Sequence, residues 1–139
     1  MSSESIEAKL AEIVANQGSI TDEKALRDVR RALRDYLLKL TQPLKSSWLN
    51  IGVGEAEHKE ALNTALLDIK DRKKKKEKGY KDLTVDDIRA TAYIDTLDSY
   101  KELEEKKAEH RAILHLIKVG FLADNSIASD LNAAKNDRG

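Results

Sequence analysis

The chain has 139 residues, of which 25 are basic and 25 acidic, so its formal net charge is zero. It contains no cysteine, which excludes disulfides, thiolate nucleophiles and zinc–thiolate sites. Ala, Leu, Lys, Glu and Asp dominate, there is one proline, and only 4% of residues are aromatic. This composition favours helices over strands, and the length suits one domain.

The N-terminal region, residues 1–43, is predicted to form two short helices. The first runs from about Glu4 to Asn16, and Gly18 suits a left-handed cap after it. The second carries apolar residues at three- and four-residue spacing, as an amphipathic helix does. Pro43 is expected to end or kink this second helix because proline removes a backbone donor.

Residues 44–54 are predicted to be an apolar joint before the main helical core. Trp48 within the joint is interpreted as a core plug, with an anchor for another protein as the alternative. A third helix is expected from about Glu55, with an apolar stripe that stops at Ile69. Gly79 is where this helix is predicted to end.

The segment around Thr84 gives the clearest local signal. Thr84 and Asp87 have the spacing of a capping box, and Leu83 can pack on Ile88 as a hydrophobic staple. A short helix is therefore predicted from Thr84 to about Tyr93.

The last helix is predicted to begin with Asp95 as its cap and to reach about Asn132, roughly 55 Å along the chain. Residues 135–139 are expected to fray. The helical core then spans residues 44–134, with a basic turn at 70–81. Its two long helices, on either side of that turn, most simply form an antiparallel hairpin. The predicted fold class is all-α, with the short N-terminal helices added to this hairpin.

Large apolar side chains are scarce, since the chain has one Trp, one Phe and four Tyr. Long polar helices with narrow apolar stripes often complete their burial against a partner chain. We therefore expect a homo-oligomer. No apolar run approaches the roughly 18 residues of a membrane span, and no signal-peptide core is visible. A cytoplasmic protein is expected, of the bacterial or viral-infection kind.

Charge is strongly segregated in the second half of the chain. Residues 70–81 contain eight basic and two acidic residues, a net charge of +6, and residues 82–105 carry −6. The basic segment suits salt-sensitive binding to phosphates, with Tyr80 as a surface on which an unpaired base could stack. The alternative is a solvated helix end whose lysines are neutralised by the acidic segment. The candidate nucleic-acid-binding residues are Arg72, Lys73, Lys74, Lys75, Lys76, Lys78, Tyr80 and Lys81.

Catalytic patterns are weak. The four carboxylates between Glu102 and Glu109 would need a matching acidic cluster on a facing helix to hold Mg²⁺, and none has the right spacing. His110 and His115 are five residues apart and do not share a helix face, and no HExxH motif or glycine-rich phosphate loop occurs. The sequence predicts no enzyme activity, no metal and no cofactor.

Four short segments, taken in order, resemble the UvsY-type recombination mediators of phages. They cover about two-thirds of the chain, from Leu44 to Leu131. The segments are Ser47-Trp48-Leu49-Asn50, then Lys76-Glu77-Lys78-Gly79-Tyr80, the capped Thr84 helix leading through Asp95 to Tyr100, and Ile117-Lys118-Val119-Gly120-Phe121 followed by Ile127 and Asp130.

The resemblance implies a ring-forming helical protein that binds single-stranded DNA. Such a protein helps a recombinase displace the single-strand-binding protein, and it needs no cofactor. The DNA-contacting residues carried over are Arg72, Lys73–Lys76, Lys78 and Tyr80. The resemblance also assigns oligomerisation to a C-terminal apolar stripe, Leu114, Ile117, Phe121, Ile127 and Leu131. The alternative is a helical structural or adaptor protein, such as a phage assembly scaffold or an inhibitor of a host protein.

Overall fold

The computed structural model describes residues 8–13, 15 and 23–137, and no strand occurs among them. The all-α prediction is confirmed. From Glu23 to Asp137 four helices follow one another: α1 (Glu23–Lys39), α2 (Thr41–Lys74), α3 (Val85–Asp95) and α4 (Leu97–Asp137). Of the first predicted helix, residues 8–13 and 15 are helical, while the Gly18 cap lies outside the described residues.

The described residues form two compact units. The first contains residues up to Ser46 and from His110 onward, and the second contains Ser47–Glu109. The core of the first unit joins leucines of α1 and its flanks to the C-terminal half of α4. Its buried members are Leu10, Leu26, Leu33, Leu40, Leu116, Ala123 and Ile127. Each fully buried leucine or isoleucine contributes about 1.5–3 kcal/mol of hydrophobic free energy.

The predicted joint at residues 44–54 is wrong, because α2 begins at Thr41 and runs through it as one helix. Pro43 lies in the first turn of α2, where backbone N–H groups have no acceptor within the helix. The proline therefore marks a helix start instead of an end. Leu40 alone separates α1 from α2, and its N–H donates to the carbonyls of Tyr36 and Leu37, each at 3.2 Å.

Gly54 allows close approach inside the second unit. A Cβ atom at this buried position would lie 3.1 Å from Cδ of Lys106 and 3.2 Å from Cδ1 of Leu103. Nearby, Lys106 pairs with Glu57 at 3.9 Å. The glycine therefore makes room for side chains of α4.

The core of the second unit lies where α2 meets α3. Ile69, Ile88 and Ala92 are buried, and the partly buried Leu62, Ala65, Leu66, Tyr80 and Leu83 pack against them. The capping box at the start of α3 is confirmed. Asp87 N–H donates to Thr84 Oγ1 at 3.2 Å, and Thr84 N–H donates to Asp87 Oδ2 at 3.0 Å. The backbone N–H of Thr84, and after it the Thr84 side chain, stabilise the ionised carboxylate and lower the pKa of Asp87.

The predicted Asp95 cap is wrong, because Asp95 is the last residue of α3 and only Thr96 separates α3 from α4. The buried Thr96 hydroxyl donates to the carbonyl of Ala92 at 2.8 Å, so it remains bonded to the preceding helix. Helix α4 then continues for 41 residues, about 60 Å. It passes the predicted end at Asn132, and residues 135–137, expected to fray, are helical.

Candidate nucleic-acid interface

Helix α2 ends at Lys74 and not near the predicted Gly79, so the basic turn at 70–81 begins inside the helix and continues past its end. Glu77 N–H donates to the carbonyl of Arg72 at 3.1 Å, and Lys76 N–H donates to that of Lys73 at 3.0 Å. This pair of bonds is the Schellman helix end. The residue at its left-handed position is Lys76, with φ of 54°, where glycine is the usual choice.

Three cations of the segment are bound to neighbouring groups. Arg72 lies 3.1 Å from Asp68 and 3.9 Å from Glu77, and Asp68 is the main cause of its raised pKa. Lys75 pairs with Asp71 at 3.0 Å, and this hydrogen bond raises the pKa of Lys75. The ammonium of Lys73 donates to the carbonyl of Leu83 at 2.6 Å. These three side chains hold the turn to its surroundings.

Of the candidate residues from Arg72 to Lys81, four lysines are exposed and, within the described part of the chain, form no ion pair. We call these the open lysines: Lys74, Lys76, Lys78 and Lys81. The carboxylate of Asp87, a candidate neutralising group, is bonded within the capping box of α3. Among the residues that the structure describes, no carboxylate of the acidic segment after the turn forms an ion pair with these four ammonium groups.

Tyr80 is placed differently from its predicted role. It is half-buried and packs against the core of the second unit. The guanidinium of Arg72 lies 5.2 Å from the ring centroid and donates to the Tyr80 hydroxyl at 3.4 Å. The ring is thus engaged within the turn, and it is not the free stacking surface that the sequence suggested.

The predicted oligomer stripe is divided between two environments. Ile127 is fully buried in the core of the first unit, and Ile117 and Leu131 pack against that core. Leu114 and Phe121 are exposed, to 45% and 57%. Only the latter two, seven residues apart and so on one face of α4, are available to a partner.

Trp48 is 63% exposed, so its interpretation as a core plug is wrong. Leu49 and Val53 are also exposed, and a Cβ atom built at Gly52 would meet nothing within 4 Å. We call Trp48, Leu49 and Val53 the tryptophan patch. Its apolar side chains face solvent in the single chain, so the role of an anchor for another protein remains a prediction.

His58 and Ser99 form a contact that their sequence separation concealed. His58 Nδ1 lies 2.8 Å from Ser99 Oγ, which itself donates to the carbonyl of Thr96 at 2.9 Å. Because the hydroxyl has one proton and gives it to Thr96, it accepts from His58. This polarity is that of a structural link, since a nucleophilic serine would donate to the histidine.

The carboxylates do not gather into a metal site. Among the described residues, no group of three or more His, Cys, Asp or Glu side chains is placed to hold a metal ion. Glu104, from the acidic cluster considered in the sequence, pairs instead with Lys107 at 3.6 Å. An interleaved lysine thus engages one of these carboxylates.

Comparison with family models, with curated proteins and with solved structures finds no match for the chain. In the part of the chain that the structure describes, no helix is both long and apolar enough to cross a membrane. Function is therefore inferred from the residues of this chain and their arrangement.

Proposed function

We propose that this protein is a non-enzymatic accessory protein of recombination that binds single-stranded DNA and helps to load a recombinase. The observation that carries the proposal is the exposure of the four open lysines at the end of α2. Each ammonium group that neutralises a phosphate releases a condensed counterion, which favours binding at low salt. Arg72, Lys73 and Lys75 add positive charge beside them while they hold the turn in place.

Contacts within the second unit support an antiparallel hairpin as the framework of this site. Gly54 and Glu57 both contact Lys106, whereas His58, further along α2, contacts Ser99, which is earlier on α4. This order favours two helices that run in opposite directions, and we propose that the basic turn lies at the end of this hairpin.

A homo-oligomer is the assembly that we propose, and a ring is its simplest closed form. The tryptophan patch, together with Leu114 and Phe121, leaves apolar side chains exposed on the single chain. Burying them between copies is favoured by the hydrophobic effect. Repeating the open lysines around such an assembly converts weak contacts per subunit into avidity.

The recombinase and the single-strand-binding protein enter as partners through the resemblance to UvsY-type mediators. A protein that binds the phosphates of the DNA backbone through ammonium groups leaves base edges free for other proteins. Salt-sensitive, sequence-independent contacts also dissociate readily, which suits a factor that transfers DNA to a recombinase.

A helical adaptor without nucleic-acid binding is the second candidate, and the tryptophan patch favours it. Tryptophan is enriched among the residues that dominate protein–protein binding. In that case Trp48 contacts a different protein, and the open lysines serve solubility or meet an acidic surface.

Fluorescence anisotropy with a labelled oligo-dT, at 50 and 200 mM salt, separates the two candidates. With about 0.7 counterions released per phosphate on a single strand, four contacts per chain give a log–log salt slope of about −3 for one subunit. Substituting all four open lysines with alanine is expected to abolish most of the binding at 50 mM salt.

The matched control substitutes four other exposed lysines, Lys45, Lys101, Lys118 and Lys135, with alanine. It removes the same charge and is expected to retain most of the affinity. No binding at 50 mM salt, binding indifferent to salt, or equal losses in both variants would favour the adaptor.

A further inference from the structure

A cavity of the second unit lies between α2 and α3 and belongs to none of the sites above. It has a volume of about 190 Å³. Its apolar lining includes Leu62 and Leu66, which also pack against the core of the second unit. Drug-sized ligands occupy cavities of roughly 300–1,000 Å³, so this one suits a smaller group.

Polar groups surround that apolar surface. Lys59 and Asn63 reach the cavity from α2, and Arg89 and Tyr93 reach it from α3. Lys59 and Arg89 are exposed and, among the residues that the structure describes, pair with no carboxylate. Tyr93 is 60% exposed, unlike Tyr80. The cavity thus combines two unpaired cations, a free aromatic ring, an amide and an apolar floor.

The same face of α2 continues from the cavity to the basic turn. With about 100° of rotation per residue, Lys59, Asn63, Lys70 and Lys74 fall within an arc of about 60°. Lys70 is exposed, as Lys59 and Lys74 are. At 1.5 Å per residue this cationic face extends for about 22 Å, from Lys59 to Lys74.

Acidic residues of α2 lie on another face. Four of the five, Glu57, Glu60, Asp68 and Asp71, fall within an arc of about 80°, centred about 110° from the cationic one, and Glu55 precedes the cationic face in the chain. Three of them line an open groove together with Asp95. A polyanion is repelled from that groove and attracted to the cationic arc. The charge pattern therefore selects one path along α2.

We propose that the cavity is a nucleotide subsite for one unpaired base of a single strand. The base lies on the leucine floor against the ring of Tyr93, and its flanking phosphates meet Lys59 and Arg89. The strand then follows Lys70 and Lys74 to the open lysines. A base in a duplex is stacked and paired, so the cavity accepts single strands only. This inference rests on the proposed function, and it adds a contact to the base that the lysines do not make.

An abasic oligonucleotide separates the subsite from the lysines. Two fluorescein-labelled 20-mers are compared at 50 mM salt by anisotropy, one of oligo-dT and one with abasic sugars throughout. Both have the same phosphates, so contacts to phosphate contribute equally. Base–aromatic stacking is expected to make oligo-dT bind the native chain at least about fivefold more tightly.

Substitutions at Tyr93 then test where the base lies. Tyr93→Ala is expected to bring the dT-to-abasic affinity ratio close to one while leaving abasic binding unchanged. Tyr93→Phe keeps the aromatic ring and is expected to retain the ratio. Tyr100→Ala, at an exposed tyrosine of α4 in the same unit, is the matched control and is expected to leave the ratio unchanged.

Photocrosslinking gives an independent readout on the native chain. An oligonucleotide carrying 5-iododeoxyuridine is expected to crosslink to the peptide that contains Tyr93. Equal binding of both 20-mers, an unchanged ratio in Tyr93→Ala, or crosslinks at Tyr80 or Tyr100 alone would overturn the subsite while leaving the proposed function intact. If neither 20-mer binds, the proposed function fails and the subsite fails with it.

Discussion

The guanidinium of Arg30 donates hydrogen bonds to both carboxylate oxygens of Asp124, although 94 residues separate the two in the chain. Nε of Arg30 lies 2.9 Å from Oδ1 and its NH2 group lies 3.4 Å from Oδ2. Arg34 adds a contact of 3.2 Å. Burial opposes the charged form of Asp124, but the two arginines outweigh it and lower the pKa of the carboxyl. This pair joins α1 to α4 in the first unit.

Asp124→Asn is expected to lower the free energy of unfolding by about 1–2 kcal/mol at pH 7, a value discounted for the exposure of Arg34. Because the folded-state pKa is lowered, the native carboxylate stabilises the fold above the unfolded-state pKa of about 3.9. This contribution disappears as pH falls through the folded-state value. Urea denaturation at pH 7 and pH 3 measures the difference between the two proteins, which is expected to shrink at the lower pH.

Asp130→Asn is the matched control, since Asp130 is exposed on the same helix and, within the described residues, forms no ion pair. It is expected to change stability by less than about 0.5 kcal/mol. Equal effects of the two substitutions would show that the contact of Arg30 with Asp124 contributes nothing to the fold.

Replacing Gly52 and Gly120 with alanine is predicted to change the stability of the fold in opposite directions. At Gly52 the new methyl group meets nothing within 4 Å, so the helix gains about 0.5–1 kcal/mol from lower backbone entropy in the unfolded state. At Gly120 it collides with the side chain of Leu37, whose Cγ would be 3.2 Å away. Leu37 packs against the core of the first unit and cannot turn freely.

The strain at Gly120→Ala costs about 1–3 kcal/mol and exceeds the gain in helix propensity, so we expect a net loss of about 1 kcal/mol. Thermal unfolding followed by circular dichroism measures both variants. A higher midpoint for Gly120→Ala, as for Gly52→Ala, would mean that Leu37 moves aside without cost.

Local signals predicted those features of the fold that depend on neighbouring residues. The Thr84 capping box and the apolar spacing of α1 were sufficient because each involves contacts within one or two turns. The start of α2 was missed because a proline such as Pro43 is common both in the first turn of a helix and just after a helix ends. Gly54 and Ile127 could not be placed, since their roles depend on helices distant in sequence.

The candidate site was predicted in the same uneven way. The charge of residues 70–81 is visible in the sequence, but which lysines stay open depends on Asp68, Asp71 and the carbonyl of Leu83. The cavity beside Tyr93 had no signal in the sequence. Its residues come from two helices separated by the whole turn, and no short motif joins them.

Lys76 is expected to lower the stability of the fold. Lysine at a φ of 54° is strained relative to glycine, so Lys76→Gly is expected to raise the free energy of unfolding by about 1 kcal/mol. The same change removes one open lysine and is expected to weaken binding to oligo-dT at 50 mM salt. Denaturation and anisotropy on the same sample measure both effects.

Gly79→Ala is the counterpart within the same turn. Gly79 has a φ of 90°, and a Cβ atom there would meet nothing within 4 Å, so its cost of about 1 kcal/mol comes from the backbone alone. We expect this variant to be less stable and to keep all four open lysines. A gain in DNA affinity for Lys76→Gly would contradict a role for the Lys76 ammonium in binding.

The tryptophan patch offers a direct spectroscopic test of assembly. Trp48 is the one tryptophan of the chain and is largely exposed in the single subunit. If copies bury the patch, the Trp48 emission maximum shifts to the blue as concentration rises, and the mass measured by light scattering increases.

Leu49→Lys is expected to abolish both changes, because an unpaired ammonium is costly to bury. Leu38→Lys places the same charge at an exposed leucine of α1 outside the patch and is expected to preserve both. An emission maximum and a mass that stay constant over a hundredfold range of concentration would exclude this patch as an interface between copies in that range. Trp48 would then be left as an anchor for a different protein.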